Sequence, residues 1–143
     1  MAAGAGCAAL LLCAACTGPS LTRDAYRAQA AQTATMVLSA VRTGELAAAE
    51  SAAGRIPGSS LEVVLGDAET DASSTQETFA SRQPPEGTDG MREELTTLLD
   101  DATATLEDAR IAARRGDRAA LAAARADLHR LGTRLEDFEE RAG

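Results

Sequence analysis

Apolar positions in the second half of the chain recur in alternating steps of three and four. Leu121, Ala124, Leu128, Leu131, Leu135 and Phe138 form one such stripe, and Met91, Leu95, Leu98, Ala102, Leu106 and Ala109 form another. That spacing places each set on one face of an α-helix, with the intervening charged residues on the other. Between the stripes, Arg114-Arg115-Gly116-Asp117 has the chemistry of a tight turn. A glycine can take the left-handed conformation that closes a helix, cations suit the negative end of the helix dipole, and Asp can cap the next helix. Two long helices joined this tightly must lie antiparallel and side by side.

The first half is less regular. Leu61, Leu65, Ala68, Ala72, Thr75 and Phe79 predict a helix capped by Ser59 or Ser60 and stopped by Gln83-Pro84-Pro85, with residues 84–90 as the longest polar break. Upstream, Tyr26, Ala30, Thr33, Val37, Ala40, Gly44, Ala47, Ser51 and Gly54 make a stripe of mostly small residues, started by Ser20 or Thr22 and ended by Pro57-Gly58. Small side chains let a neighbouring backbone come close. Arg42-Thr43-Gly44-Glu45 echoes the later turn, but Gly44 keeps the phase of its stripe, and a glycine inside a helix costs only about 1 kcal/mol. One continuous helix is therefore expected.

No period-2 run persists, so the expected fold is all-α. It is an antiparallel up-down-up-down four-helix bundle with helices at roughly 21–55, 59–82, 90–115 and 117–141. Such a topology brings the start of helix 1, the end of helix 2, the start of helix 3 and the end of helix 4 to one end. Tyr26, Phe79, Met91 and Phe138 should cluster there.

Ahead of the bundle the pattern changes completely. Residues 1–15 contain only Met, Ala, Gly, Cys and Leu, and all three cysteines fall at positions 7, 13 and 16. The apolar run is about nine residues, the length of a signal-peptide core and well short of the ~20 that span a bilayer. It ends in Leu11-Leu12-Cys13-Ala14-Ala15-Cys16. This ending resembles the lipobox of bacterial lipoprotein precursors, where small residues precede a cysteine that receives a diacylglyceryl group.

The resemblance implies a signal segment at residues 1–15, lipidation of Cys16, a short tether at residues 16–20 and a bundle at residues 21–143. Palmitate-type acyl chains would then hold the protein on the outer face of the cell membrane. Two features depart from the pattern: Cys13 stands where Leu or Val is usual, and residues 1–15 lack a basic residue. A translation start upstream of Met1 would supply the missing charge. Ordinary signal cleavage nearby, or an uncleaved anchor, are the other readings of the same segment. After cleavage Cys16 would be the sole cysteine, which excludes an intramolecular disulfide and a structural zinc site. The four residues 17–20 span at most ~14 Å, so the aromatic end of the bundle would sit nearest the membrane.

All 14 basic residues are Arg, and with the abundance of Ala, Asp and Glu the whole chain is similar to small actinobacterial-type helical lipoproteins. The net charge of −8 lies entirely beyond Cys16. It repels phosphate backbones and anionic lipid, which argues against nucleic acid as a partner and leaves membrane attachment to the acyl chains.

The chemical inventory is sparse. His129 is the lone histidine, flanked by residues of the inward stripe and without a Glu-x-x-His motif, so it is expected on or beside the polar face, solvated or salt-bridged. The acidic pairs Glu93-Glu94, Asp100-Asp101, Glu107-Asp108 and Glu139-Glu140 fall off the stripes, as does the run Asp67, Glu69, Asp71. They are expected to be exposed and supported by partners such as Asp137 with Arg141. There is no nucleophile elbow, EF-hand loop or phosphate-binding loop. The expectation is therefore no catalytic residues, no metal site, no cofactor and no enzyme. A structural or protein-interaction module at the cell envelope fits best, with an envelope protein docking on a bundle face or on residues 84–90. The alternative is an accessory protein that captures a small ligand or cation, although an alanine-rich core offers few large side chains to line a pocket.

Overall fold

The computed structural model describes residues 22–143, so residues 1–15, Cys16 and the tether at 16–20 lie outside the described residues. Four helices follow in order: α1 Arg23–Ala52, α2 Gly58–Ala80, α3 Asp89–Arg115 and α4 Arg118–Ala142. Each packs on its sequence neighbours and α4 returns to α1, which closes the up-down-up-down ring. Among the described residues no helix is long and apolar enough to cross a membrane.

Local chemistry explains most boundaries. Thr22 Oγ1 accepts from Ala25 N at 3.2 Å and caps α1. At the α3–α4 turn Gly116 has φ +66°; its N–H donates to the Ala113 carbonyl while Asp117 N–H reaches back to Ala112. This pair of bonds satisfies carbonyls that the end of α3 leaves free. Asp117 Oδ1 then accepts from Ala119 N and Ala120 N, starting α4.

The other joints correct the expected ones. Helix α1 stops at Ala52, before Pro57, because Gly54 turns the chain at φ +72°. Neither Ser59 nor Ser60 caps α2, since both lie inside its first turn. Pro57, in extended conformation, precedes the helix, and its carbonyl accepts from Ser60 and Leu61 N–H. Proline is preset for this position, and it displaces the serines that the usual cap preference favours. The polar break ends earlier than expected, with Asp89 and Gly90 already in α3. Thr88 is buried and donates its hydroxyl to the Pro85 carbonyl at 2.7 Å. Arg92 donates to the Ala80 and Arg82 carbonyls, which closes the otherwise open end of α2.

The expected stripes form the core. Tyr26, Ala30, Val37, Leu61, Leu65, Leu95, Leu98, Leu106, Leu128, Leu135 and Phe138 are buried, while Met91 and Leu121 pack against them from half-exposed positions. Tyr26 and Phe79 stack at 5.9 Å between ring centroids, and Phe138 is buried in the same cluster. Of the four bulky residues expected at the end that holds the start of α1, Tyr26 and Phe79 are in direct contact there.

The bundle is unequal across its diagonals. Helix α1 touches α3 directly as well as both neighbours, while no Cα of α2 comes within 8 Å of one on α4. The cause lies in the small-residue stripe of α1. Gly44 sits midway along an unbroken helix, and a Cβ there would lie 2.6 Å from Leu106 Cδ2. A side chain at that point would hold α3 away, whereas glycine lets the two helices close.

Candidate functional site

Two features of α1 stand out once the bundle is assembled: a polar clamp on its α4 side and an uncharged outer face.

The clamp centres on Arg42. Its Nη1 donates to Glu45 Oε2 at 2.8 Å, and its Nη2 donates to Glu136 Oε1 on α4, also at 2.8 Å. His129 Nδ1 lies 2.9 Å from Glu45 Oε1 and 3.4 Å from Arg42 Nη1. Both neighbours cannot be served by one nitrogen that carries a hydrogen. The shorter contact to a carboxylate assigns the hydrogen to Nδ1, which donates to Glu45. Gly132 makes the crossing possible, because a Cβ there would sit 2.7 Å from the Arg42 guanidinium carbon. Arg42, Glu45, His129, Gly132 and Glu136 therefore form one device that joins α1 to α4.

Electrostatics follow the contacts. Burial alone would raise the Glu45 carboxyl, yet hydrogen bonds from Arg42 and His129 outweigh it and hold the group below its ordinary value. Hydrogen bonds to Glu136 and then to Glu45 hold Arg42 more firmly protonated. The His129 side chain is 64% exposed, and its ring is oriented by the largely buried Glu45. An oriented imidazole resembles half of a catalytic dyad, but no nucleophilic hydroxyl among the described residues hydrogen-bonds to its ring. His129 was expected on or beside the polar face, solvated or salt-bridged, and it lies exposed there with Nδ1 against Glu45. The partners Arg42, Glu45 and Glu136 were not foreseen, and the Arg42–Glu45 spacing of three was the one local signal for them.

The acidic residues spread over separate faces. Glu94 meets Arg141 at 2.6 Å and Asp101 meets Arg134 at 2.9 Å, both joining α3 to α4. The expected Asp137–Arg141 side-chain pair does not form. Arg141 lies 5.9 Å from the Phe138 ring centroid, sends its Nη groups to Glu94, and donates Nε to the Asp137 backbone carbonyl. Glu69 leaves the expected solvated run and pairs with Arg110 across α2 and α3, while Asp67 and Asp71 stay exposed. Among the described residues no group of three or more His, Cys, Asp or Glu could hold a metal ion. Cys16, the expected lipidation site, lies outside the described residues.

The outer face of α1 is the opposite in character. Residues 28–41 contain no charged residue, in a chain that is 25% charged. Ala28, Gln32, Thr35, Met36 and Ser39 are exposed along this stretch, continued by Thr43 and Leu46. Met36 and Leu46 are 53% and 61% exposed, two of the three exposed large apolar side chains among the described residues, the third being Val63 on α2. The threonine hydroxyls turn inward onto the helix: Thr35 donates to the Ala31 carbonyl at 3.0 Å and Thr43 to the Ser39 carbonyl at 2.8 Å. Residues 28–41 make a charge-free strip about 20 Å long at 1.5 Å per residue. No family model, curated protein or solved structure matches the chain.

Proposed function

We propose that this protein is a lipid-anchored module of the cell envelope, held through Cys16, whose bundle binds a protein partner along the outer face of α1. Support for the anchor comes from the sequence Leu11-Leu12-Cys13-Ala14-Ala15-Cys16. Support for the interaction comes from one observation, the charge-free strip around Met36 on an otherwise acidic molecule.

A partner helix laid on this strip would displace water from the Met36 side chain and its small neighbours, with the exposed carboxylates of Asp67 and Asp71 on α2 along one edge. Apolar burial contributes roughly 25 cal/mol per Å², while desolvating an unpaired charge is strongly unfavourable. The partner segment is therefore a helix with an apolar or small-residue face, and a basic residue at its edge would meet Asp67 and Asp71. The clamp ties α1 to α4 through Arg42 and Glu136, on a different side of the helix from the strip. The module works by binding and performs no reaction of its own.

The test is site-specific photocrosslinking in cells. A crosslinker at Ser39 should give a product of one defined mass that disappears when Met36 is changed to Asp. A crosslinker at the exposed Ala104 on α3 should give none. Equal products from both positions, or none from Ser39, would remove the α1 face from the account.

A further inference from the structure

The end of the bundle remote from Tyr26 and Phe79 contains a second feature, on a different surface from the α1 strip. The ends of α1 and α3 and the beginnings of α2 and α4 enclose a cleft of about 570 Å³. Its walls include Ala48, Ile56, Leu61, Ala113 and Leu121, an apolar lining built largely from small side chains. The volume falls in the range of pockets that enclose small ligands, roughly 300–1,000 Å³. Alanine was expected to line pockets poorly. Here the small side chains of Ala48, Ala52, Ala112 and Ala113 leave space among the four helix ends.

Charge tells what kind of molecule fits. Arg118 and Arg125 line the cleft, and among the described residues neither forms an ion pair. Six of the fourteen arginines (Arg42, Arg55, Arg110, Arg130, Arg134 and Arg141) have carboxylate partners, and of the eight that have none among the described residues, Arg118 and Arg125 are the two that line this cleft. The sole acid in the lining is Asp117, whose Oδ1 already serves two backbone N–H groups of α4. The surrounding stretch, residues 109–126, holds five Arg and one acid in a chain of net charge −8. Two guanidiniums without carboxylate partners therefore stand beside the apolar lining.

From this combination we propose that the cleft binds a small amphiphile, an apolar body carrying one carboxylate or phosphate that Arg118 and Arg125 hold. An apolar body alone would gain nothing from the arginines, and a cation would be repelled. A guanidinium suits both acids because its planar fork can donate two parallel hydrogen bonds. The site is independent of the α1 strip and of Cys16, so either can fail without the other.

The full chain in nanodiscs of neutral phosphatidylcholine is treated with a photoreactive octanoate, and labelled peptides are mapped by mass spectrometry. The expected result is labelling concentrated in residues 48–61 and 112–125. Unlabelled octanoate should compete it away, and octanol or octylammonium should not. Arg118→Ala with Arg125→Ala should lower labelling at least tenfold, while Arg114→Ala, outside the lining, should leave it unchanged. Ala52→Leu fills the cleft from an exposed position and should also abolish labelling. Labelling competed equally by octanol, labelling spread over all helices, or labelling indifferent to Ala52→Leu would overturn the proposal. So would recruitment to vesicles containing phosphatidylglycerol by these arginines with no labelling from solution, which would assign them to a membrane surface.

Discussion

A methyl group on Gly44 would stand 2.6 Å from Leu106 Cδ2, in a place where Leu106 is fully buried. This contact sets the short diagonal of the bundle and gives a direct test of it. Replacing Gly44 by Ala gains about 1 kcal/mol of helix propensity, but overpacking a filled core costs about 1–3 kcal/mol. The expected net change is a loss of about 1 kcal/mol. Leu106→Ala alone should lose about 2–5 kcal/mol. The double variant should lose less than the sum, because each change relieves the other. Urea denaturation of the four proteins reads the coupling, and strictly additive losses would mean that α1 and α3 do not meet there.

The aromatic end carries a fully buried hydroxyl. Tyr26 Oη has no hydrogen-bond partner among the described residues. A buried polar group left unpaired costs about 1–3 kcal/mol. Tyr26→Phe keeps the 5.9 Å stacking on Phe79 and removes the unpaired group. It should raise the melting temperature, by an amount equivalent to about 1 kcal/mol. A lowered melting temperature would show that the hydroxyl has a partner.

Phe138 tests the same cluster from α4. The residue is 2% exposed, and truncating a buried phenylalanine costs about 3–5 kcal/mol. Phe138→Ala should therefore lower the denaturation midpoint strongly, with Arg141 also losing the ring beneath it. An unchanged midpoint would be incompatible with a packed aromatic end.

The clamp predicts a pH dependence. The Glu45 carboxyl is depressed in the folded state relative to about 4.3 in the unfolded chain. A depressed acid stabilises the fold fully above the unfolded value, and the contribution disappears as pH falls through the lower folded value. Melting temperature should thus fall as pH drops below the unfolded value of about 4.3, and less steeply in Glu45→Gln. Glu94, lowered by its hydrogen bond from Arg141, adds a weaker term of the same sign because the pair is more exposed. Identical acid profiles for the wild type and Glu45→Gln would show that the clamp contributes no stability.

Some of this was legible in the chain and some was not, for physical reasons. Leu95, Leu106, Leu128 and Phe138 announce their helices because large apolar groups at helical spacing have one stable destination. Gly44 could be placed inside α1 because its phase agrees with its neighbours. The start of α2 was misread because Ser59 and Ser60 compete for the cap with a proline whose fixed geometry wins. Gly132 and Glu136 reveal their roles only when α4 is laid against α1, since nothing local links them to Arg42. The distal cleft is a consequence of absent volume, which periodicity does not record. Arg118 and Arg125 did carry a signal: five arginines with one acid in residues 109–126 of an acidic chain.

The central claim is that lipid on Cys16 holds this bundle at the envelope, and the mass of the mature N-terminal peptide tests it most directly. The account predicts a peptide that begins at Cys16 and carries a diacylglyceryl group, with metabolic lipid label lost from Cys16→Ala. An unmodified N-terminal peptide, or lipid label and membrane retention unchanged in Cys16→Ala, would contradict it.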